Sequence, residues 1–125
     1  MPRRAIDFAT VRKIGLSGDF PGVEGSTAFG APALKVRGKL LACIPTHRSA
    51  EPGSLAVRVD FADRAALLAE APDVYYLKDH YVNHPCVLVR LSRVTPEILR
   101  DLLGMAYKFV TRAPARKPRK RRAGE

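Results

Sequence analysis

Cysteine is scarce in this sequence. Cys43 and Cys86 are the only two, and each sits inside an apolar run. Two thiols so placed argue against a disulfide scaffold and suit a reducing compartment. Long hydrophobic runs are missing too: the longest, Leu40 to Ile44, is far short of the ~20 residues that span a bilayer. No apolar segment of signal-peptide type follows the basic pair Arg3-Arg4. The expectation is a cytoplasmic protein with no membrane partner. Catalytic signatures are also lacking. There is no Walker loop, no G-x-S-x-G elbow and no pair of acids in a constrained motif. Cys43 with a distant histidine is only composition, since a cysteine inside an apolar strand is chiefly a small core residue. A protein that is not an enzyme and needs no cofactor is expected.

Acidic residues are in short supply, and that shortage says more. Twelve Asp and Glu face 22 Lys and Arg, a net charge of +10. Such a field attracts nucleic acid, anionic lipid or acidic protein. Half of the excess falls between Ala113 and Glu125, where Arg116, Lys117, Arg119, Lys120, Arg121 and Arg122 stand against one acid. Proline, alanine and one glycine fill the rest of that stretch. A segment so poor in apolar surface predicts a disordered tail over 113–125. The preceding residues, 1–112, have the length of one domain, and a chain that is 46% apolar supports a packed core.

Along those residues the apolar period changes repeatedly. Asp7 predicts the cap of a first helix, with Phe8, Ala9, Val11 and Ile14 on its inner face, ending near Ser17 ahead of Gly18 and Pro21-Gly22. A short strand within Gly25 to Ala31 follows. Ala33–Val36 and Lys39–Ile44 read as a hairpin about Arg37-Gly38, although arginine is a poor choice where φ must be positive. Ser54–Asp60 alternates as a half-buried strand. Asp60 predicts the cap of a second helix with Ala66, Leu67 and Ala71 inward. Val74–Leu77 and Cys86–Leu91 read as strands around a polar, aromatic-rich loop. Thr95-Pro96-Glu97 opens a last helix whose stripe is Ile98, Leu99, Leu102, Leu103, Ala106, Tyr107 and Val110. The predicted order is α-β-β-β-β-α-β-β-α: an α+β fold, mainly an antiparallel sheet of about five to six short strands with helices packed on one face.

Three segments, PGVEGSTAFGAPALKVRGKLLA (21–42), LAVRVDFADRAALL (55–68) and VYYLKDHYVNHPCVLVRL (74–91), together resemble the MmcQ/YjbR family of small bacterial proteins. The resemblance runs from about Phe8 to Val110. It implies a CyaY-like fold and, through a proposed double-wing arrangement, DNA binding. It implies no catalytic residues, and the basic tail lies outside it.

Several constellations of side chains carry possible chemistry. Lys35, Arg37 and Lys39, taken as residues two apart on a strand, would line one face of a wing and track phosphates; an ordinary solvated strand face fits the same pattern. Arg58 and Arg90 would extend that basic stripe if their strands are neighbours, or else are surface arginines paired with acids such as Asp60 or Asp79. Tyr75, Tyr76, Lys78, His80 and Tyr81 group rings around a base. This suits stacking on unpaired bases or a ligand cleft near Tyr76, His80 and Arg90; a buried tyrosine with a bonded hydroxyl is the plainer reading. His80, His84, Cys86 and His47 are zinc-type donors, but their spacing is not that of a zinc site, and no metal is expected. The favoured expectation is largely non-specific nucleic-acid binding, to DNA, through the hairpin bases, Arg58, Arg90 and the tail. The alternative is a small-molecule or protein-interaction domain.

Overall fold

Asp7, Asp60 and Thr95 each stand where a helix begins, and each side chain accepts from a backbone N–H of the first turn. In the computed structural model, which describes residues 6–112, Asp7 accepts from the Thr10 amide at 3.2 Å and opens α1 (Phe8–Gly15). Asp60 accepts from the amides of Ala62 and Asp63 at 2.7 and 3.4 Å and opens α2 (Phe61–Glu70). Thr95 accepts from the Ile98 amide at 3.2 Å and opens α3 (Pro96–Arg112). Each such cap is worth about 1 kcal/mol.

Six strands form one antiparallel sheet: β1 (Val23–Ala28), β2 (Ala31–Val36), β3 (Lys39–Cys43), β4 (Ser54–Arg58), β5 (Tyr75–Tyr76) and β6 (Cys86–Arg90). Their spatial order is β1-β2-β3-β4-β6-β5. The class and the chain order are those the sequence predicts. The first predicted strand, however, stops at Ala28, because Phe29-Gly30 is a turn. Two hairpins use two-residue turns in which both central residues have positive φ: Phe29 at 56° with Gly30 at 79°, and Arg37 at 53° with Gly38 at 78°. This is the type I′ pattern, which matches the sheet twist and favours Asn-Gly or Gly-Gly. A non-glycine residue held there costs about 1–2 kcal/mol.

All three helices lie on one face of the sheet, over a core that includes Val11, Leu34, Val36, Leu41, Leu55, Val57, Val87, Val89, Leu99, Leu102 and Leu103. Three expected core positions lie elsewhere, the first being Ala9, which is exposed on α1. Ala66 faces solvent on α2, and the buried residue of that helix is Leu67. Ile98 is 41% exposed in the first turn of α3, before the buried part of the stripe begins at Leu99. α1 approaches β2 so closely that a Cβ on Gly15 would meet Leu34 Cδ1 at 2.5 Å.

Among the described residues the opposite face carries no α-helix, only the single 3-10 turn Asp79–Tyr81, and yet it is not simply polar. Ala33, Cys43, Ala56, Tyr76 and Leu88 form a second buried cluster, with Leu40, Ala50 and Tyr81 packed against it. The 44–53 and 77–85 connections supply Ala50 and Tyr81, so both cysteine-bearing strands are buried on both sides.

Candidate binding site on the helix-free face

Register decides which basic side chains share a surface. The turn Arg37-Gly38 pairs Val36 with Lys39 and Lys35 with Leu40. Val36 belongs to the core under the helices, so Lys39 points to that side as well, and its ammonium reaches the Val110 carbonyl at 3.5 Å. Lys35 lies on the opposite face, cross-strand from Glu24. The expected single face of Lys35, Arg37 and Lys39 is therefore not formed. The two-apart rule holds along a strand and fails across a two-residue turn, where i and i+3 share a face. Arg37 stands exposed at the tip.

Arg58 and Arg90 lie on neighbouring strands and on one face, as expected, but not together. Arg58 is opposite Cys86 and Arg90 opposite Ser54, four residues apart along the ladder, or roughly 13 Å. Arg90 is fully engaged. It donates from Nε and a terminal nitrogen to the two Glu51 carboxylate oxygens, both at 2.9 Å, and to the carbonyls of Pro72 and Asp73 at 3.2 and 3.1 Å. Its guanidinium also covers the Tyr76 ring at 4.5 Å. The hydrogen bond from Arg90 holds the Glu51 carboxyl below its usual range and raises the guanidinium in return. The partner is Glu51, not Asp60 or Asp79. Tyr76 is buried, its hydroxyl bonded to Ser54 and to the Glu51 amide, and the Lys78 ammonium lies 5.9 Å from its ring centre. This end of the face is closed structure that fastens the 44–53 connection.

At the other end there is a cleft of about 260 Å³, walled by Phe29, Leu40, Cys43, Ala56, Arg58, His80, Tyr81, His84, Pro85 and Cys86. A smaller hollow of about 120 Å³ shares Phe29, Cys43, Ala56, His80 and Tyr81 and reaches His47. The predicted cleft thus divides: His80 and Tyr81 line it, whereas Tyr76, Lys78 and Arg90 do not. The fold brings all three histidines and both cysteines of the chain to this place from four separate segments. The His47 and His80 rings stack with centroids 3.7 Å apart and planes within 9°. Tyr81 meets both edge-on. Even so, among the described residues no three His, Cys, Asp or Glu side chains converge as a metal site requires.

Arg64 positions this wall, and nothing in the sequence marked it. From α2 its guanidinium donates to the carbonyls of Val82, His84 and Cys86 at 3.0, 2.9 and 3.3 Å. It thereby fixes the loop that carries His80, Tyr81 and His84. Replacing Arg64 with leucine removes these hydrogen bonds, leaving the His84 carbonyl only its bond from the Cys86 amide, and is expected to destabilise the fold by about 1–3 kcal/mol. Amide exchange should rise first at residues 79–84, and a loop that stays protected would contradict this role.

The chemistry inside the cleft is that of neutral donors around one cation. Burial pushes the Cys43 thiol up, the neighbouring Cys86 adds to this, and Arg58 opposes it. Cys86 is likewise raised, by burial. Thiols above their ordinary value of 9.0 are neutral and weakly nucleophilic near pH 7. His80 is held below the ordinary 6.5, first by desolvation, then by His47 and His84. No carboxylate lines either hollow. Arg58 makes no ion pair among the described residues, and its Nε is shielded from water with no hydrogen-bond partner. Sequence reasoning missed Phe29 by placing it inside a strand. The available signal was Phe-Gly between two extended runs, a two-residue turn with an unfavoured first residue.

The depressed His80 value sets the sign of a pH effect. The native state binds fewer protons than the unfolded chain as pH falls below about 6.5. The stability this ring contributes is thus present above that value and is lost as pH falls through the folded pKa. The urea midpoint of the protein is expected to drop between pH 7.5 and 5. His80→Gln should show a smaller drop, and identical drops would refute the assignment.

An α+β domain with its helices on one face and an acid-free cleft on the other is the class that fold and site define. A YjbR family model matches residues 18–109, and the chain belongs to that family. It is 36% identical over 66 residues to an uncharacterized protein of Mycobacterium bovis and to two of Mycobacterium tuberculosis. The match takes in 50% of this chain, which spans about half the length of these curated relatives, 51%. The crystal structure of Deinococcus radiodurans protein DR2400, of domain family DUF419, superposes with a TM-score of 0.61 at 21% identity. That match covers 89% of this chain and 80% of the other, and it speaks to the fold.

Proposed function

We propose that this domain is a binding module, not an enzyme, and that it holds an anion on the helix-free face with Arg58 as the anchor. One observation carries the reading: a half-buried guanidinium, with its Nε unpartnered, lines a cleft without any carboxylate. A cation left in that state costs free energy unless a ligand supplies the missing acceptors. The two thiols and the histidines around it hydrogen-bond without competing for its charge. Titrating the labelled full chain with small anions, from inorganic phosphate to benzoate, should shift amide resonances at Arg58 and His80. Arg58→Gln should weaken that binding about tenfold or more, the worth of a charge-assisted hydrogen bond. Equal affinities in the two proteins would sink the reading.

A second reading, DNA binding through the phosphate backbone, is favoured by where the charge lies. Residues 6–112 hold fourteen Lys and Arg against eleven Asp and Glu, a net +3, so most of the +10 belongs to the termini. The tail bases lie outside the described residues. Within the body, Lys35, Arg37 and Arg58 are left to meet phosphates, since Lys39 and Arg90 are engaged. Lys35→Glu with Arg37→Glu is the variant that tests the hairpin. Among the described residues no helix is long and apolar enough to cross a membrane. A cytoplasmic polyanion is the partner in this reading.

A further inference from the structure

We propose that the cleft selects a flat aromatic anion, an aryl carboxylate or aryl phosphate, whose ring is received by Phe29 and whose negative group meets Arg58. This rests on the reading of Arg58 as an anion anchor and adds a requirement to it. Phe29 is the residue that asks for a ligand. Its side chain is 83% exposed and belongs to neither buried cluster. Its φ of 56° lies in the left-handed region, where Asn or Gly would relieve strain without any loss of packing. A bulky ring kept at a strained, unpacked position is a signature of a functional site.

The cleft supplies the rest of the fit. Phe29 has no ring partner among the described residues, yet it lines both hollows together with His80 and Tyr81. Those two rings are fixed, His80 stacked on His47 and edge-on to Tyr81. One side of the opening is thus a rigid aromatic wall, and the other is an aromatic side chain on a hairpin tip. Between them lies about 260 Å³, near the lower end of the small-molecule range, which suits one or two fused rings and a single charged group. The floor is small and apolar at Ala56, with Arg58 two residues along the same strand face. Stacking selects the ring, and charge-assisted hydrogen bonding selects the anion.

Four probes separate these requirements in the full-length, isotope-labelled protein: benzoate, phenyl phosphate, cyclohexanecarboxylate and benzamide. At least one aromatic anion is expected to bind roughly three- to tenfold more tightly than cyclohexanecarboxylate, the range of an aromatic pair beyond its buried area. Benzamide should bind more weakly still. Whether benzoate or phenyl phosphate leads identifies the anionic group. Phe29→Asn keeps the turn, because Asn tolerates the left-handed region, and should erase the aromatic preference by weakening the aromatic anions more than cyclohexanecarboxylate. Cyclohexanecarboxylate binding as tightly as both aromatic anions, or a preference that survives Phe29→Asn, overturns ring selection and leaves the Arg58 anchor standing. Benzamide binding as well as benzoate, or no saturable binding by any probe, overturns both.

Discussion

Leu102→Ala is expected to remove about 2–5 kcal/mol of stability, a large part of the ~5–15 kcal/mol that holds a domain of this kind together. Leu102 is 2% exposed, in the middle of α3, and packs in the same cluster as Leu99, Leu103, Val57 and Val89. α3 is the longest helix among the described residues, and it lies across β2, β3 and β4. A cavity there is shared between helix and sheet, and neither can close it without breaking the register of the other. The lost transfer energy of the side chain therefore adds to the energy of a persistent void. Ile98 is the control. It belongs to the same apolar stripe in sequence but is 41% exposed, and Ile98→Ala should change stability by only about 0.5 kcal/mol. Chemical denaturation of the two variants reads the difference directly. Equal midpoints would mean that the stripe does not face the sheet as described.

Most of the architecture was legible because local signals agreed with one another. Asp7, Asp60 and Thr95 announce the helices by the one thing a helix start needs, an acceptor for its free amides. The alternation in Ser54–Asp60 and Cys86–Leu91 marks the two central strands. What escaped were features that depend on pairing. The face reached by Lys39 follows from the i, i+3 geometry of a two-residue turn. The β-bulge between Leu34 and Lys35 then lets Leu41 and Ala42 both face the helix-side core, which no period-two reading predicts. Phe29 was hidden for the same reason as Arg37 was doubted: each holds a positive φ that its side chain disfavours.

The site was legible by residue type and not by grouping. His80, Tyr81 and Arg58 were named, but Arg58 was linked to Arg90, and His80 to Tyr76. The antiparallel register of β4 with β6 sends Arg58 and Arg90 to opposite ends. There Glu51 closes one end, and the other remains a cleft. Glu51 and Arg64 decide this outcome from loop and helix positions with no motif to mark them. A charge inventory alone treats Arg58, Arg64 and Arg90 as equivalent. Their hydrogen bonds make one a candidate binding group and two of them structural.

Deleting residues 113–125 is expected to flatten the salt dependence of DNA binding far more than any change in the folded body. The six bases of that segment release up to about six counterions from B-DNA, a slope near −5 in log K against log salt. Between 50 and 200 mM salt such a slope is roughly a thousandfold in affinity. The body has little with which to replace it. Of the five body bases expected to contact phosphate, Lys39 is bonded to Val110 and Arg90 to Glu51, which leaves Lys35, Arg37 and Arg58. Those three contacts would sustain a slope of only about −3. Anisotropy titrations of the full chain and of residues 1–112 at several salt concentrations measure both slopes. An unchanged slope would place the phosphate contacts on the body and reject the tail. The cleft supplies the cross-check, because its proposed anchor, Arg58, belongs to the folded body and the six tail bases belong to residues 113–125. The shortened chain should bind benzoate as the full chain does, whereas Arg58→Gln should lose benzoate and keep nearly all of the salt-dependent affinity for DNA.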